Sequence, residues 1–302
     1  MLPEPRLGDT DPTAPPIPAW FSAALATRAD HHEATVHGAR VVARSWGPPG
    51  PGVILVHGGA AHSHWWDHVA PALSQAHRVV AVDLSGHGDS DHRPRYLLRT
   101  WADEIMALGR AAGIEGPPLV IGHSMGGWVA LATGAAYGSA VAGIIAIDAP
   151  RRGGAPGEAA SATRSAFGPR RAYASHAEAL SRFRTVPEQP DSLPFILDHI
   201  ARTSLREHDG TWTWKFDPAA SRRDRPPASA LVAQLTCPLA ILRAENGIMS
   251  ADIGASLRAE TGRWVPVIEI PLAGHHIMLD QPLSLISALR SLLSLWASER
   301  DG

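Results

Sequence analysis

Residues 122–126, Gly-His-Ser-Met-Gly, have the types and spacing that most directly indicate chemistry in this chain. An apolar run precedes them and a helical run follows. A serine raised on a sharp turn between a buried strand and a helix can act as a nucleophile when a base lies within reach. Gly122 and Gly126 remove side chains that would collide in such a turn. The pattern therefore predicts Ser124 as a nucleophile.

The base that activates the serine is expected on a loop after the last strand. Residues 272–282 form such a loop, in which His275 follows Gly274. A histidine at the carboxyl end of that strand can reach across the sheet to Ser124. We therefore predict His275 as the base and keep its neighbour His276 as the alternative.

The elements that must position these residues alternate along the chain. Short apolar runs, such as 53–56 and 78–82, predict buried strands, and the segments 65–74 and 97–112 predict helices. Strands that alternate with helices are typical of a mostly parallel central sheet with helices on both faces. The predicted fold class is therefore α/β.

The alternation stops at Pro150 and resumes near residue 237. The residues between are rich in arginine, serine, alanine and proline, and they include the turn signal Asp209-Gly210. Such an insertion is typical of a lid over the edge of the sheet where open α/β sheets bind ligands. The predicted parts are a flexible N-terminal arm, a core in two pieces and an inserted cap or lid: 1–18, then 19–150 with 231–302, and 151–230.

Four stretches occur in the order and at the spacing of a known family: 57–59, 83–90, 122–127 and 274–282. Through them the chain resembles the α/β-hydrolase fold superfamily over most of residues 33–298. It also resembles, more weakly, the branch called serine hydrolase-like proteins, at 145–150 and 242–247. The resemblance implies the α/β-hydrolase fold with an inserted cap, and a serine nucleophile that requires no cofactor.

The acid is the point where the chain departs from this family. Most members place an aspartate after the strand that corresponds to residues 239–242, and the matching residue here is Gly247. Some members take the acid from the strand after the nucleophile helix, where this chain has Asp148. A carboxylate is needed to hold the tautomer of the histidine. The resemblance favours Asp148, with Glu245 as the alternative acid and Asp252 third.

The resemblance also implies which groups contact the substrate. The backbone N–H groups of Met125 and Gly59 are the expected donors of the oxyanion hole. Further expected contacts are small or aromatic residues near the same loops or in the cap: Gly58, His123, Trp128, Trp212 and Trp214. Core packing is the alternative role of the three tryptophans.

Composition excludes several classes of partner. A formal net charge of −2 over 302 residues gives no case for binding nucleic acid or an anionic membrane. The single cysteine, Cys237, excludes an intrachain disulfide. We expect no membrane span and no signal peptide, which favours a cytoplasmic protein. The expected partner is a small-molecule substrate with a hydrophobic part, and the sequence does not indicate the oligomeric state.

A histidine-rich stretch, residues 62–68, resembles the H-x-H-x-D-H metal motif of metallo-hydrolases. It has one residue too many between His64 and Asp67, and no later set of ligands accompanies it. We therefore expect no metal. A metal-dependent hydrolase stays an alternative that a chelator would test.

These observations predict a serine hydrolase that cleaves a carboxylic ester, thioester or lactone through an acyl-enzyme intermediate. The same fold offers two alternatives, a carbon–carbon bond hydrolase and a cofactor-free dioxygenase that uses the histidine and its acid as a base. A catalytically silent binding protein is a further alternative, because the usual position of the acid holds Gly247.

Overall fold

A computed structural model describes residues 16–149, 171–224 and 226–301, with side chains up to residue 298. The strands are β1 (Asp30–Val36), β2 (Ala39–Trp46), β3 (Gly50–Val56), β4 (Arg78–Asp83), β5 (Ile114–His123), β6 (Gly143–Ile147), β7 (Leu205–His208), β8 (Thr211–Trp214), β9 (Leu239–Asn246) and β10 (Val267–Gly274). The α-helices are α1 (Ala19–Ala26), α2 (Ala70–Leu73), α3 (Leu98–Ala111), α4 (Met125–Tyr137), α5 (His176–Ser181), α6 (Pro194–Thr203), α7 (Ala228–Val232), α8 (Ile253–Thr261), α9 (Ile277–Asp280) and α10 (Pro282–Asp301).

Within the described ranges, eight strands form one sheet in the order β1-β2-β4-β3-β5-β6-β9-β10. In this sheet β4, β3, β5, β6, β9 and β10 pair in parallel with their neighbours in that order. The strands β1 and β2 add an antiparallel edge. Every residue of β4 and β6 is buried. Strands covered by helices on both faces need continuous apolar runs rather than alternation. The predicted α/β class with a mostly parallel sheet is confirmed.

The stretch 65–74, which we expected to be one helix, forms two short pieces. A 3₁₀ turn covers Ser63–Trp66, and α2 covers only Ala70–Leu73. The reason is Pro71, which lies in the first turn of α2. Proline lacks the N–H that would continue a helix from the preceding turn, but it is well suited to a first turn.

The predicted cap begins and ends between β6 and β9. Its described part contains α5, α6, the start of α7 and the hairpin of β7 and β8. Asp209 and Gly210 join the two strands with φ values of 49° and 74°, as the turn signal predicted. Residues 1–15 of the predicted arm, and residues 151–170 and 225 of the predicted cap, lie outside the described residues. The division into arm, core and cap stays a prediction.

Two apolar clusters lie on the two faces of the sheet. One contains Trp101 and Trp128 with the side chains of α3 and α4, and the other contains Phe21 and Trp66 with those of α10. No helix within the described ranges is long and apolar enough to cross a bilayer. The sheet between the two clusters fixes the carboxyl ends of β5, β6 and β10, where the candidate site lies.

Candidate active site

The turn around Ser124 is strained and depends on its glycines. Ser124 has φ 53° and ψ −116°, between the end of β5 and the start of α4. A Cβ on Gly122 would lie 2.6 Å from the backbone nitrogen of Gly127, and one on Gly126 would lie 2.6 Å from the carbonyl oxygen of His57. A left-handed φ costs a non-glycine residue about 1–3 kcal/mol and persists only where the surrounding packing imposes it.

His275 contacts Ser124 from the loop after β10. The distance between Ser124 Oγ and His275 Nε2 is 3.0 Å, and the histidine is buried. This lies within the range over which a general base removes a proton from a hydroxyl. The structure thus brings together the predicted nucleophile and the predicted base, and it places His275 rather than His276 against Ser124.

Asp148 lies on the other side of the His275 ring. His275 Nδ1 donates to Asp148 Oδ2 at 2.7 Å, which leaves Nε2 as the acceptor for the serine hydroxyl. Asp148 is fully buried and also accepts the backbone N–H of Ile248 at 2.9 Å. Burial alone would raise the pKa of Asp148, but the hydrogen bond and charge of His275 and the N–H of Ile248 hold that pKa below its usual value. The carboxyl is therefore an anion beside the imidazole.

The two alternative acids lie in other surroundings. Glu245 is exposed near the end of β9, and its Oε2 accepts the backbone N–H of Leu272 at 2.7 Å. Asp252 is also exposed and accepts a hydrogen bond from Ser256 Oγ at 2.8 Å, at the start of α8. Of the three candidates, the structure brings Asp148 to the imidazole.

The loop after β3 packs against the nucleophile turn. A Cβ on Gly58 would lie 3.5 Å from Ser124 Cβ, and one on Gly59 would lie 4.0 Å from Met125 Sδ. Met125 is the first residue of α4. The N–H groups in the first turn of a helix lack partners within that helix and favour negative charge. The two expected oxyanion donors thus belong to neighbouring backbone segments.

His57 fixes the conformation of this loop, a role that the sequence did not indicate. The Leu84 N–H donates to His57 Nε2 at 3.2 Å, so His57 Nδ1 carries the proton and donates to the Gly58 oxygen at 2.7 Å. Burial lowers the pKa of His57, which keeps the ring neutral. His57, the first residue of the stretch 57–59, thus shapes the loop that carries Gly59.

Two further residues hold the loop that carries His275. His123 Nε2 donates to the His275 backbone oxygen at 2.9 Å. Burial and the nearby charge of His275 lower the pKa of His123 to about 3, so it is neutral and can donate. Gln189, from the predicted cap, accepts the His276 N–H at 2.8 Å and donates to the His276 oxygen at 3.2 Å. No sequence pattern indicated a role for Gln189.

The three predicted aromatic contacts lie in two different environments. Trp128 is buried on α4, with the guanidinium carbon of Arg223 at 5.6 Å from its ring centroid. Trp212 packs against His176 at 4.5 Å, and Trp214 packs against Tyr173 at 6.0 Å between ring centroids. These contacts are typical of packing inside the cap. A substrate contact for any of the three tryptophans stays a prediction.

The histidine-rich stretch 62–68 does bring two possible metal ligands together. His64 Nδ1 and His199 Nε2 lie 2.8 Å and 3.0 Å from Asp67 Oδ2, and the three could hold an ion. The guanidinium of Arg44 contacts the other oxygen of Asp67. Because the carboxylate already has a cationic partner, an ion at this position would compete with Arg44.

A second group with suitable spacing is His123, His275 and His276, at the candidate site itself. His275 is already held between Ser124 and Asp148. That the function requires no metal stays a prediction, both for this group and for the group of His64, Asp67 and His199.

Comparison with known proteins gives a consistent result. A family model described as "Alpha/beta hydrolase family" matches residues 53–288. The chain is 27% identical to "Esterase Rv0045c" of Mycobacterium tuberculosis over 85% of this chain and 88% of that protein. It is 26% identical to "sn-1-specific diacylglycerol lipase ABHD11" of Mus musculus over 81% of each protein. The crystal structure of E-2-(acetamidomethylene)succinate hydrolase superposes with a TM-score of 0.74 at 20% identity, covering 88% of this chain and 100% of that chain.

Proposed function

Because the chain belongs to the alpha/beta hydrolase family, we propose that it is a serine hydrolase that cleaves a carboxylic ester, thioester or lactone. The observation that carries the proposal is the hydrogen-bonded series from Ser124 through His275 to Asp148, with distances of 3.0 Å and 2.7 Å. The two relatives named as an esterase and a diacylglycerol lipase support ester cleavage in particular.

The proposed reaction begins when Ser124 Oγ attacks the carbonyl carbon of the substrate. His275 Nε2 takes the hydroxyl proton, and the Asp148 carboxylate stabilises the resulting imidazolium. The N–H groups of Gly59 and Met125 stabilise the oxyanion. When the tetrahedral intermediate collapses, the bond to the alcohol or thiol breaks and the leaving group takes the proton from His275.

The acyl-enzyme is then hydrolysed by the reverse roles of the same groups. A water molecule attacks the acyl carbon and gives its proton to His275, and the acid product leaves as Ser124 recovers its proton. No cofactor enters this reaction. The proposed substrate is a small molecule with a hydrophobic part.

The test is intact-protein mass spectrometry after treatment with a fluorophosphonate. We expect one adduct on the wild type and none on Ser124→Ala. Ser250→Ala is the matched control, because Ser250 is exposed and is expected to leave labelling unchanged. A folded wild type without an adduct would contradict the acyl-enzyme proposal. That result would favour the alternatives in which His275 and Asp148 act as a base without acylation of Ser124, or a binding protein.

A further inference from the structure

The main chain on both sides of His275 lies against one side chain of the predicted cap. The His276 N–H donates to Gln189 Oε1 at 2.8 Å, and Gln189 Nε2 donates to the His276 oxygen at 3.2 Å. On the other side of the base, a Cβ on Gly274 would lie 2.6 Å from Gln189 Cδ. The amide of Gln189 therefore occupies the space that a side chain at residue 274 would need.

Gln189 is itself fixed by the residues around it in the chain. Its backbone N–H donates to Thr185 Oγ1 at 3.1 Å, and its backbone oxygen accepts a hydrogen bond from Ser192 Oγ at 2.8 Å. All three residues are buried. A side chain that is packed and bonded in this way can hold another group in one place.

The segment 185–193, which we name the support segment, bonds the loop after β10 at a second point. Its last residue, Leu193, donates its N–H to the Leu279 oxygen at 2.8 Å. Leu193 directly precedes α6. The support segment thus bonds the loop at residues 276 and 279, and a displacement of this segment would displace the loop with it.

The two hydrogen bonds between Gln189 and His276 differ in importance. The His276 oxygen also accepts the Leu279 N–H at 2.7 Å, so this oxygen keeps a donor when Gln189 is replaced. The His276 N–H is bonded to Gln189 Oε1, and a buried N–H without an acceptor is unfavourable. The carbonyl oxygen of the Gln189 side chain is therefore the atom on which the loop depends.

We propose that Gln189 is a positioning residue through which the support segment holds His275 between Ser124 and Asp148. The inference rests on the proposed hydrolase function. The imidazole has to keep its distances of 3.0 Å to Ser124 Oγ and 2.7 Å to Asp148 Oδ2 at the same time. A shift of the main chain next to His275 lengthens at least one of them, so the position of the cap and the activity of the base are linked.

The kinetic test replaces Gln189 by methionine, which keeps the length of the side chain and removes the acceptor. We expect kcat on a chromogenic ester to fall about 10- to 100-fold with KM changed less than about threefold, because the base is misplaced and not the substrate. Gln189→Glu keeps an oxygen for the His276 N–H, so its kcat should exceed that of Gln189→Met by at least about fivefold.

Gln234→Met is the matched control for this comparison. Gln234 is exposed and donates to the Ala230 oxygen within α7, so kcat should stay at the wild-type value. A rise in KM with unchanged kcat in Gln189→Met would assign this residue to substrate binding and overturn the inference.

Thr185→Val tests the support segment itself, and it decides the matter if Gln189→Met does not fold. The variant removes the acceptor of the Gln189 N–H without touching the loop that carries His275. We expect kcat to fall at least about threefold with unchanged KM. Thr203→Val is the control, because the Thr203 hydroxyl bonds the His199 oxygen within α6. A wild-type kcat in Thr185→Val would mean that the support segment does not transmit its position to the base.

Proton NMR separates this inference from the proposed function, because it reports the position of His275 without turnover. The His275 Nδ1 proton, bonded to a carboxylate, is expected to give a low-field resonance that is lost in Asp148→Asn. The resonance should persist in Gln234→Met and be shifted or lost in Gln189→Met. A lower kcat with an unchanged resonance overturns the inference. A resonance that depends on Gln189 in a protein that a fluorophosphonate does not label contradicts the hydrolase function and leaves the positioning role.

Discussion

Gly247 leaves open the space that the Asp148 carboxylate fills. A Cβ on Gly247 would lie 2.5 Å from Asp148 Oδ1 and 2.6 Å from its carboxyl carbon. A side chain at residue 247, where most of the family carries its acid, would therefore occupy the same space as the carboxyl of Asp148, the acid that we propose here. A side chain at residue 247 and the observed conformation of Asp148 exclude each other.

Gly247→Ala is expected to reduce activity without unfolding the protein. The added methyl group would push the Asp148 carboxylate away from His275, and a small misplacement of a catalytic group costs about 10- to 100-fold in rate. The measurement is kcat on a chromogenic ester, with circular dichroism to verify the fold. Gly254→Ala is the control, because its Cβ would meet the Val267 side chain at 3.0 Å and the Val265 oxygen at 3.8 Å, and no group of the candidate site. An unchanged kcat in Gly247→Ala would show that catalysis does not require the observed position of the Asp148 carboxylate beside His275.

Asp148→Asn is expected to lower kcat by about 10³- to 10⁴-fold, because a neutral amide does not stabilise the imidazolium of His275 as a carboxylate does, and its NH₂ group can hold the ring in the wrong tautomer. Glu245→Gln should change kcat by less than about threefold, since Glu245 is exposed and its bond to the Leu272 N–H can be kept by an amide oxygen. Steady-state kinetics on both variants decides between them. The opposite ranking would assign the acid to Glu245.

The turn around Ser124 could be predicted from the sequence because its requirements are local, a buried strand, two glycines and a helix. The choice between Asp148 and Glu245 could not, because it depends on how β6 and β9 lie side by side. Ile147 pairs with Leu242, so Asp148 extends past the ladder toward the loop after β9. Glu245 instead bonds the neighbouring strand through Leu272.

The α/β fold could be predicted from the alternation of strands and helices, except in segments where a single residue changes the local structure. Pro71 divided the predicted helix 65–74. Gln189 could not be predicted as a support for the His275 loop, because it lies 87 residues from His276 and no local pattern marks the contact. Hydrogen bonds between distant loops depend on the completed tertiary structure, which a short motif does not encode.

Gly58→Ala is expected to reduce kcat about tenfold more than Gly59→Ala. A Cβ on Gly58 would lie 3.0 Å from His123 Nδ1, and His123 supports the His275 loop through its other nitrogen. A Cβ on Gly59 has more space, because the nearest atom is Met125 Sδ at 4.0 Å. Comparing kcat and the melting temperature of the two variants tests this. Equal losses would mean that His123 does not transmit the effect.

Asp280 is expected to make the protein less stable as the pH rises from about 4 to about 6. Burial raises the pKa of Asp280 to about 6, against a partial opposing effect of the Gly274 N–H, which it accepts at 2.6 Å. In the unfolded chain an aspartate titrates near about 3.9. The unfolded chain therefore releases its proton first, and the stability that comes from the protonated form is lost as the pH passes the folded pKa.

The test is the difference in melting temperature between the wild type and Asp280→Asn from pH 4 to pH 8. The difference removes the contribution of other groups, such as His68, whose pKa burial lowers to about 4. We expect the variant to gain on the wild type as the pH rises from about 4 to about 6, and the difference to level off above that, because an amide can accept the Gly274 N–H without a buried charge. Asp198→Asn is the control, since Asp198 is exposed and pairs with Arg202 within α6. A difference that stays constant with pH would mean that Asp280 is ionised in the folded protein throughout this range.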